Sequence, residues 1–344
     1  MCNGIERCPV FLVADEIGLV GAWGRNSGCL LDTLWVYSLR ARRTQTPLSG
    51  NRYIDTPHKT LTAHRTVAQG AFGFIDTAWY RANGHSSEVY VKRPIHYPLM
   101  DPPSLLQEAC IQKVVGEQLA RYGFPESVPR VLDVFQLHSG AVCFSMEQAE
   151  GVLTLDRYLS HLPAEMDLTP VLMGCLLPVV GMVACMNDIG VNHRDLKPTN
   201  FLLRVLPTAV PCRMTLGGRT VEWMSPYHLI LIDFGFACVG SPPTGRAHLS
   251  LGSIYPTSDP CPKDGRDLFL FLCLLYVDYH ARMSVELRMA MESWLRVDGS
   301  DLCGFMRQRG EGAKEWIYFM TGSETIRQLR CHPLQVLDGL LALP

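Results

Sequence analysis

His193-Arg194-Asp195-Leu196-Lys197-Pro198-Thr199-Asn200, followed downstream by Asp233-Phe234-Gly235, is the stretch on which the reading of this chain turns. Leu229-Ile230-Leu231-Ile232 runs straight into Asp233, the pattern of a buried strand that brings a carboxylate to its open end. A short loop holding Asp195, Lys197 and Asn200 beside such a strand end gathers two carboxylates, a cation and an amide. Carboxylate and amide oxygens suit a hard divalent cation, and a further carboxylate can orient a hydroxyl.

Upstream, Val67-Ala68-Gln69-Gly70-Ala71-Phe72-Gly73-Phe74-Ile75 carries two glycines that let main-chain N–H groups approach an anion. The alternating run Val89-Tyr90-Val91-Lys92 reads as a strand presenting a lysine. Leu105, Leu106, Ala109, Val114, Val115 and Leu119 recur at three- and four-residue steps, a helix that also carries Glu108 and Glu117.

In this order these motifs resemble the glycine-rich loop, phosphate-binding lysine, catalytic loop and magnesium loop of the eukaryotic protein kinases. The resemblance spans residues 64–280 and implies an α+β, bilobal protein-kinase-like fold. A small β-rich N-lobe would occupy 61–147 and a larger, mainly helical C-lobe 148–344. It implies a serine/threonine kinase transferring the γ-phosphate of ATP to protein hydroxyls, with ATP and Mg2+ in the site. Asp195 is then the catalytic base and Lys197 the cation on the transferred group. Lys92 contacts the phosphates and pairs with Glu108, Glu117 being the rival partner. Asn200 and Asp233 are the magnesium ligands. Gly70 and Gly73 cradle phosphates, while Ile75 and Leu202 sandwich the adenine. Met146, Glu147 and Ala149 form the hinge beside it. Asp267 matches an aspartate that supports the catalytic loop, the other reading being a helix N-cap. Phe234 packs in the core, and Gly235 supplies backbone freedom.

Residues 1–60 stand outside the resemblance as an N-terminal extension, which reads either as a strand or helix packed on the next domain with a following loop or as a separate regulatory segment. From 64 to 96 the pattern is β, with Asn83-Gly84 as a hairpin signal, and Val131–Leu137 and Ala141–Met146 flank a His138-Ser139-Gly140 turn. Beyond Gly151 the pattern is mostly helical: Leu155–Leu162, Val171–Ile189, Leu268–His280, Val285–Leu295, Trp316–Leu329 and Leu334–Leu341. Segment 204–227, with Pro207, Pro211 and Gly217-Gly218, is longer than the usual kinase hairpin and reads as an insertion.

At 344 residues, 47% hydrophobic, the chain can bury a large core. A net charge of -2 gives no reason to expect nucleic acid as a partner. The apolar runs around 171–185 and 268–277 are short for a membrane span, and the kinase resemblance implies protein substrates as partners. Thirteen cysteines without a Cys-x-x-Cys pair read as reduced thiols rather than disulfides or zinc ligands. The expected location is intracellular, cytoplasmic or nuclear, in the host cell if the chain is virus-encoded.

Several positions depart from the family. Ala68 replaces a glycine, and Tyr90 replaces the small residue that roofs the adenine. Thr257-Ser258-Asp259 stands where Ala-Pro-Glu is usual. Gly252-Ser253-Ile254-Tyr255 is a shortened substrate-side segment, and Ser241, Thr244 and Ser250 lie where Arg194 can receive a phosphate. Such departures suit a fast-evolving kinase. They also keep open a pseudokinase scaffold, whereas Lys197 speaks against a small-molecule kinase.

Overall fold

The computed structural model describes residues 41–43, 52–70, 73–95, 103–137, 141–241, 246–251, 259–297, 299–322 and 331–343. Most of the first fifty-one residues, Ala71-Phe72, the His138–Gly140 turn, Gly252–Ser258 and the end of the Trp316–Leu329 helix lie outside them. The chain divides into two compact units, one of residues 1–116 and 128–150, the other of 117–127 and 151–344. The architecture is mixed α and β.

In the first unit the strands are β1 (Ala41–Arg43), β2 (Arg52–Thr56), β3 (Lys59–Gln69), β4 (Gly73–Ala82), β5 (His85–Pro94), β6 (Val131–Gln136) and β7 (Val142–Glu147). They form one sheet in the order β1-β6-β7-β5-β4-β3-β2, antiparallel except for the β1–β6 pair. Residues drawn from sequence as a separate extension thus supply β1, β2 and the start of β3. The β4–β5 turn puts both Asn83 and Gly84 at positive φ, the geometry that matches strand twist in a tight hairpin.

Side-chain alternation sorts the sheet into two faces. Val89 and Val91 join Ile54, Leu61, Ala78, Phe135 and Cys143 in one core cluster. Their neighbours Tyr90 and Lys92 therefore point the other way. That opposite side carries a second cluster, in which Leu105 and Ala109 of helix α1 (Pro103–Arg121) pack on Val131, Val134, Val142 and Phe144.

The second unit is built around α3 (Thr169–Asp188), preceded by β8 (Leu153–Thr154) and α2 (Leu155–His161). Helix α3 passes without interruption through Pro178 and becomes long and apolar enough to cross a membrane. This corrects the expectation that the run falls short. Yet 72% of its most apolar stretch is buried within the protein, which is the environment of a core helix.

After β9 (Val191–Asn192) and a 3-10 turn, β10 (Phe201–Leu216) and β11 (Arg219–Leu231) pair antiparallel along nearly their whole length. The proposed insertion is therefore the outer part of one continuous ribbon. Its tip, Gly217-Gly218, is left-handed at both residues, and a Cβ at Gly217 would come within 2.8 Å of Leu334. The ribbon lies down on that neighbour because glycine permits both the turn and the approach. Strands β12 (Cys238–Ser241) and β13 (Arg246–Ser250) follow, then α4 (Arg266–Tyr279), α5 (Val285–Trp294), α6 (Leu302–Arg309), α7 (Lys314–Gly322) and α8 (Pro333–Leu341).

Candidate active site

The geometry of the His193–Asn200 loop starts from a buried carboxylate. Asp267 is fully buried and accepts from the main-chain N–H of His193 at 2.9 Å and of Arg194 at 2.8 Å. Asn192 Nδ2 donates to it at 3.3 Å. These bonds hold Arg194 at a φ of 63°, a left-handed conformation that costs a non-glycine residue energy and needs such support. Helix α4 begins from Gly265 without a side-chain cap, so Asp267 serves the loop rather than its own helix.

Asp195 follows, nearly buried at 5% exposure. Its Oδ2 takes Lys197 Nζ at 2.8 Å and Asn200 Nδ2 at 2.9 Å. Asn200 Nδ2 also reaches the Asp195 carbonyl at 2.9 Å. Oδ1 accepts from the hydroxyl of Tyr318, on α7, at 3.1 Å. Sequence reasoning assembled Asp195, Lys197 and Asn200 because they are local. It missed Tyr318, which lies 123 positions away with no motif around it.

Pairing of Phe201 with Leu231, and the 3.0 Å bond from Ile232 N to the Asn200 carbonyl, set Asn200 and Asp233 at one end of the same strand pair. Asp233 is exposed and takes a φ of 67°. The left-handed residue in this tripeptide is thus Asp233 and not Gly235, a correction to the sequence reading. Phe234 explains it, because its ring is fully buried against His193 at 5.0 Å and the turn must send that ring inward while the carboxylate stays outside. Asn200 Nδ2 is bonded to Asp195, and among the described residues no hydrogen bond reaches Asn200 Oδ1. An amide oxygen and an exposed carboxylate at one strand end fit a hard, oxygen-seeking cation such as magnesium.

In the first unit, Lys92 Nζ meets Glu108 Oε1 at 2.5 Å, the residues being 8% and 3% exposed. Glu108, rather than Glu117, is therefore the partner. Glycine is required at 73, since a Cβ there would stand 2.7 Å from the Arg93 carbonyl. Gly70 N donates to the Gly73 carbonyl at 2.8 Å, and Ile75 pairs with Lys92 across β4 and β5. Leu202, in the other unit, is half-buried opposite Ile230. Met146 packs partly on the α1 cluster, and Glu147 N–H is used by the Arg130 carbonyl at 3.0 Å. Ala149 is half-buried just beyond β7. Tyr90 shares the face of Lys92 and takes a 3.3 Å hydrogen bond from Gln148 Nε2.

Two further contacts brace the loop. Asp259 pairs with Arg266 at 2.5 Å in full burial, so this aspartate does form a buried salt bridge. Cys238 and Cys261 are joined by a disulfide, which corrects the expectation of reduced thiols throughout. Pairing of Cys238 with Asn192, and a 3.9 Å contact from Cys261 Sγ to the Gly190 carbonyl, bring the two sulfurs to one place, and spacing in the sequence cannot show that. The buried thiols of Cys143, Cys175 and Cys185 are free, and burial pushes each up to about 12.

No family model and no curated protein matches the chain. Among solved structures it is similar to one described as the BubR1 kinase domain, with a TM-score of 0.41 and 16% identity. That likeness covers 69% of this chain and 61% of the other, and is too slight to fix a fold.

Proposed function

We propose that this protein is a serine/threonine protein kinase, a phosphotransferase that moves the γ-phosphate of ATP to protein hydroxyls. The observation that carries the reading is Asp195, a nearly buried carboxylate held by Lys197 and Asn200 on a loop that Asp267 pins. In this reading the two units are the lobes of a kinase. Asp195 orients the acceptor hydroxyl and receives its proton. Lys197, already 2.8 Å from that carboxylate, places a positive charge where the transferred group arrives. Asn200 and Asp233 would hold magnesium, whose charge offsets that of the phosphates. Lys92, oriented by Glu108, would bind the α- and β-phosphates, and Met146, Glu147 and Ala149 would line the adenine. Gly70, Gly73, Ile75 and Leu202 complete that side. An ammonium beside the base, with a short acceptor, favours serine and threonine.

The test is transfer of radiolabelled phosphate to a degenerate peptide library, with Asp195→Asn and Asp233→Ala as controls. Transfer to serine and threonine that both controls abolish supports the reading. Phosphotyrosine as the main product, or an undiminished Asp233→Ala, refutes it.

One observation favours a scaffold that keeps the fold without turnover. Tyr90 stands on the Lys92 face, with its hydroxyl on Gln148. Calorimetry decides between the readings. Nucleotide that binds Tyr90→Ala but not wild type makes the protein a pseudokinase, and equal affinities keep it an enzyme.

A further inference from the structure

We infer that Tyr318 is a positioning residue for Asp195, fixing the carboxylate so that one acceptor place on Oδ1 remains for the substrate hydroxyl. This rests on the phosphotransfer reading above. An ionised carboxylate offers about four lone-pair sites over its two oxygens. Asn200 Nδ2 donates to Oδ2 at 2.9 Å, and the Lys197 ammonium forms an ion pair with the same oxygen at 2.8 Å. Tyr318 at 3.1 Å takes one of the two on Oδ1. Among the described residues no other hydrogen bond reaches Oδ1, so that oxygen keeps one place for a further donor.

Donors from the loop alone hold only one oxygen, about which the carboxylate can swing. A donor from a separate element stops that motion, and a general base works only while it stays within hydrogen-bond reach of its proton. Helix α7 is a firm mount for such a donor. Ala313, just before it, and Ile317 are fully buried, Lys314 pairs with Asp278 at 2.8 Å, and Lys263 Nζ reaches the Thr321 carbonyl at 3.4 Å. A phenol adds a donor without adding charge, so Lys197 remains the cation at the base.

Tyr318→Phe removes only the hydroxyl. We expect kcat to fall about tenfold, the worth of one hydrogen bond to a charged group, with KM for ATP and for peptide unchanged. The melting temperature should stay near that of wild type. A 4-aminophenylalanine at position 318, which restores a donor at the same reach, should recover most of kcat. Unchanged turnover in Tyr318→Phe overturns the inference. Faster turnover also overturns it, because the phenol would then be blocking the base. If wild type transfers no phosphate, the functional reading has failed, and the positioning of Asp195 is judged on an isotope-labelled carboxyl resonance, identified by its loss in Asp195→Asn. A shift of that resonance in Tyr318→Phe upholds the positioning, and an unmoved resonance overturns it.

Discussion

Arg194 Nη2 donates to the hydroxyl of Ser250 at 2.8 Å, from a side chain only 1% exposed. The same guanidinium bonds the Phe236 carbonyl at 2.7 Å and the Leu251 carbonyl at 2.7 Å. It therefore ties the His193–Asn200 loop to both ends of the β12–β13 segment. Of the hydroxyls considered from sequence, Thr244 and the side chain of Ser241 lie outside the described residues. A phosphate on Ser250 would turn the Nη2 bond into a charge-assisted one. Mass spectrometry of active protein should find phosphate on Ser250, and Ser250→Ala should lower kcat about tenfold, one charge-assisted bond. Unphosphorylated protein that is fully active leaves Arg194 a structural tie alone.

Lys92 and Glu108 make the second case. Both are nearly buried, so removing one takes from the other a buried opposite charge 2.5 Å away. Glu108→Ala should cost about 3–5 kcal/mol of stability, whereas an apolar pair such as Lys92→Met with Glu108→Leu should cost far less. Urea unfolding measures both. Equal losses in the single and double variants would show that packing, not charge pairing, governs the site.

The Cys238–Cys261 bond closes a loop with a sequence separation of 23. Chain-entropy arguments put its contribution at about 3 kcal/mol. Cys238→Ser, Cys261→Ser and the double variant should therefore melt alike and well below oxidised wild type. Reductant should lower wild type to their level and leave them unmoved. A wild-type melting temperature indifferent to reductant would show that the bond contributes nothing.

Asp76 gives a pH dependence. Burial raises its pKa, but bonds from Arg93 at 2.6 Å, Thr66 at 2.6 Å and the Tyr53 hydroxyl outweigh this and hold it below the usual carboxylate value. A depressed folded pKa means that the stabilisation is complete above the unfolded value of about 3.9 and is lost as pH falls through the lower folded one. Stability should therefore be steady through neutral pH and decline below about pH 4. Asp76→Asn should be less stable at neutral pH and lose part of that acid limb. Identical acid limbs in the two proteins would remove Asp76 from the account.

What the sequence determined by itself is local. Alternation in Val89-Tyr90-Val91-Lys92 set which side chains share a face, and three- and four-residue steps set α1 with Glu108 on it. The spacing of Asp195, Lys197 and Asn200 within one loop put their side chains within bonding distance, because a few residues of chain cannot separate them far. Tertiary structure alone decided the rest. The ribbon within 204–227 appears only when β10 and β11 pair, whereas the sequence shows that segment as an insertion. The left-handed turn fell on Asp233 instead of Gly235 because Phe234 is drawn into the core. The choice of Glu108 over Glu117, the Cys238–Cys261 bond, the Asp259–Arg266 pair and the Tyr318 hydroxyl on Asp195 all join residues that periodicity cannot relate. Each depends on which elements pack together, and burial of apolar surface across the whole chain settles that, with no local signal to announce it.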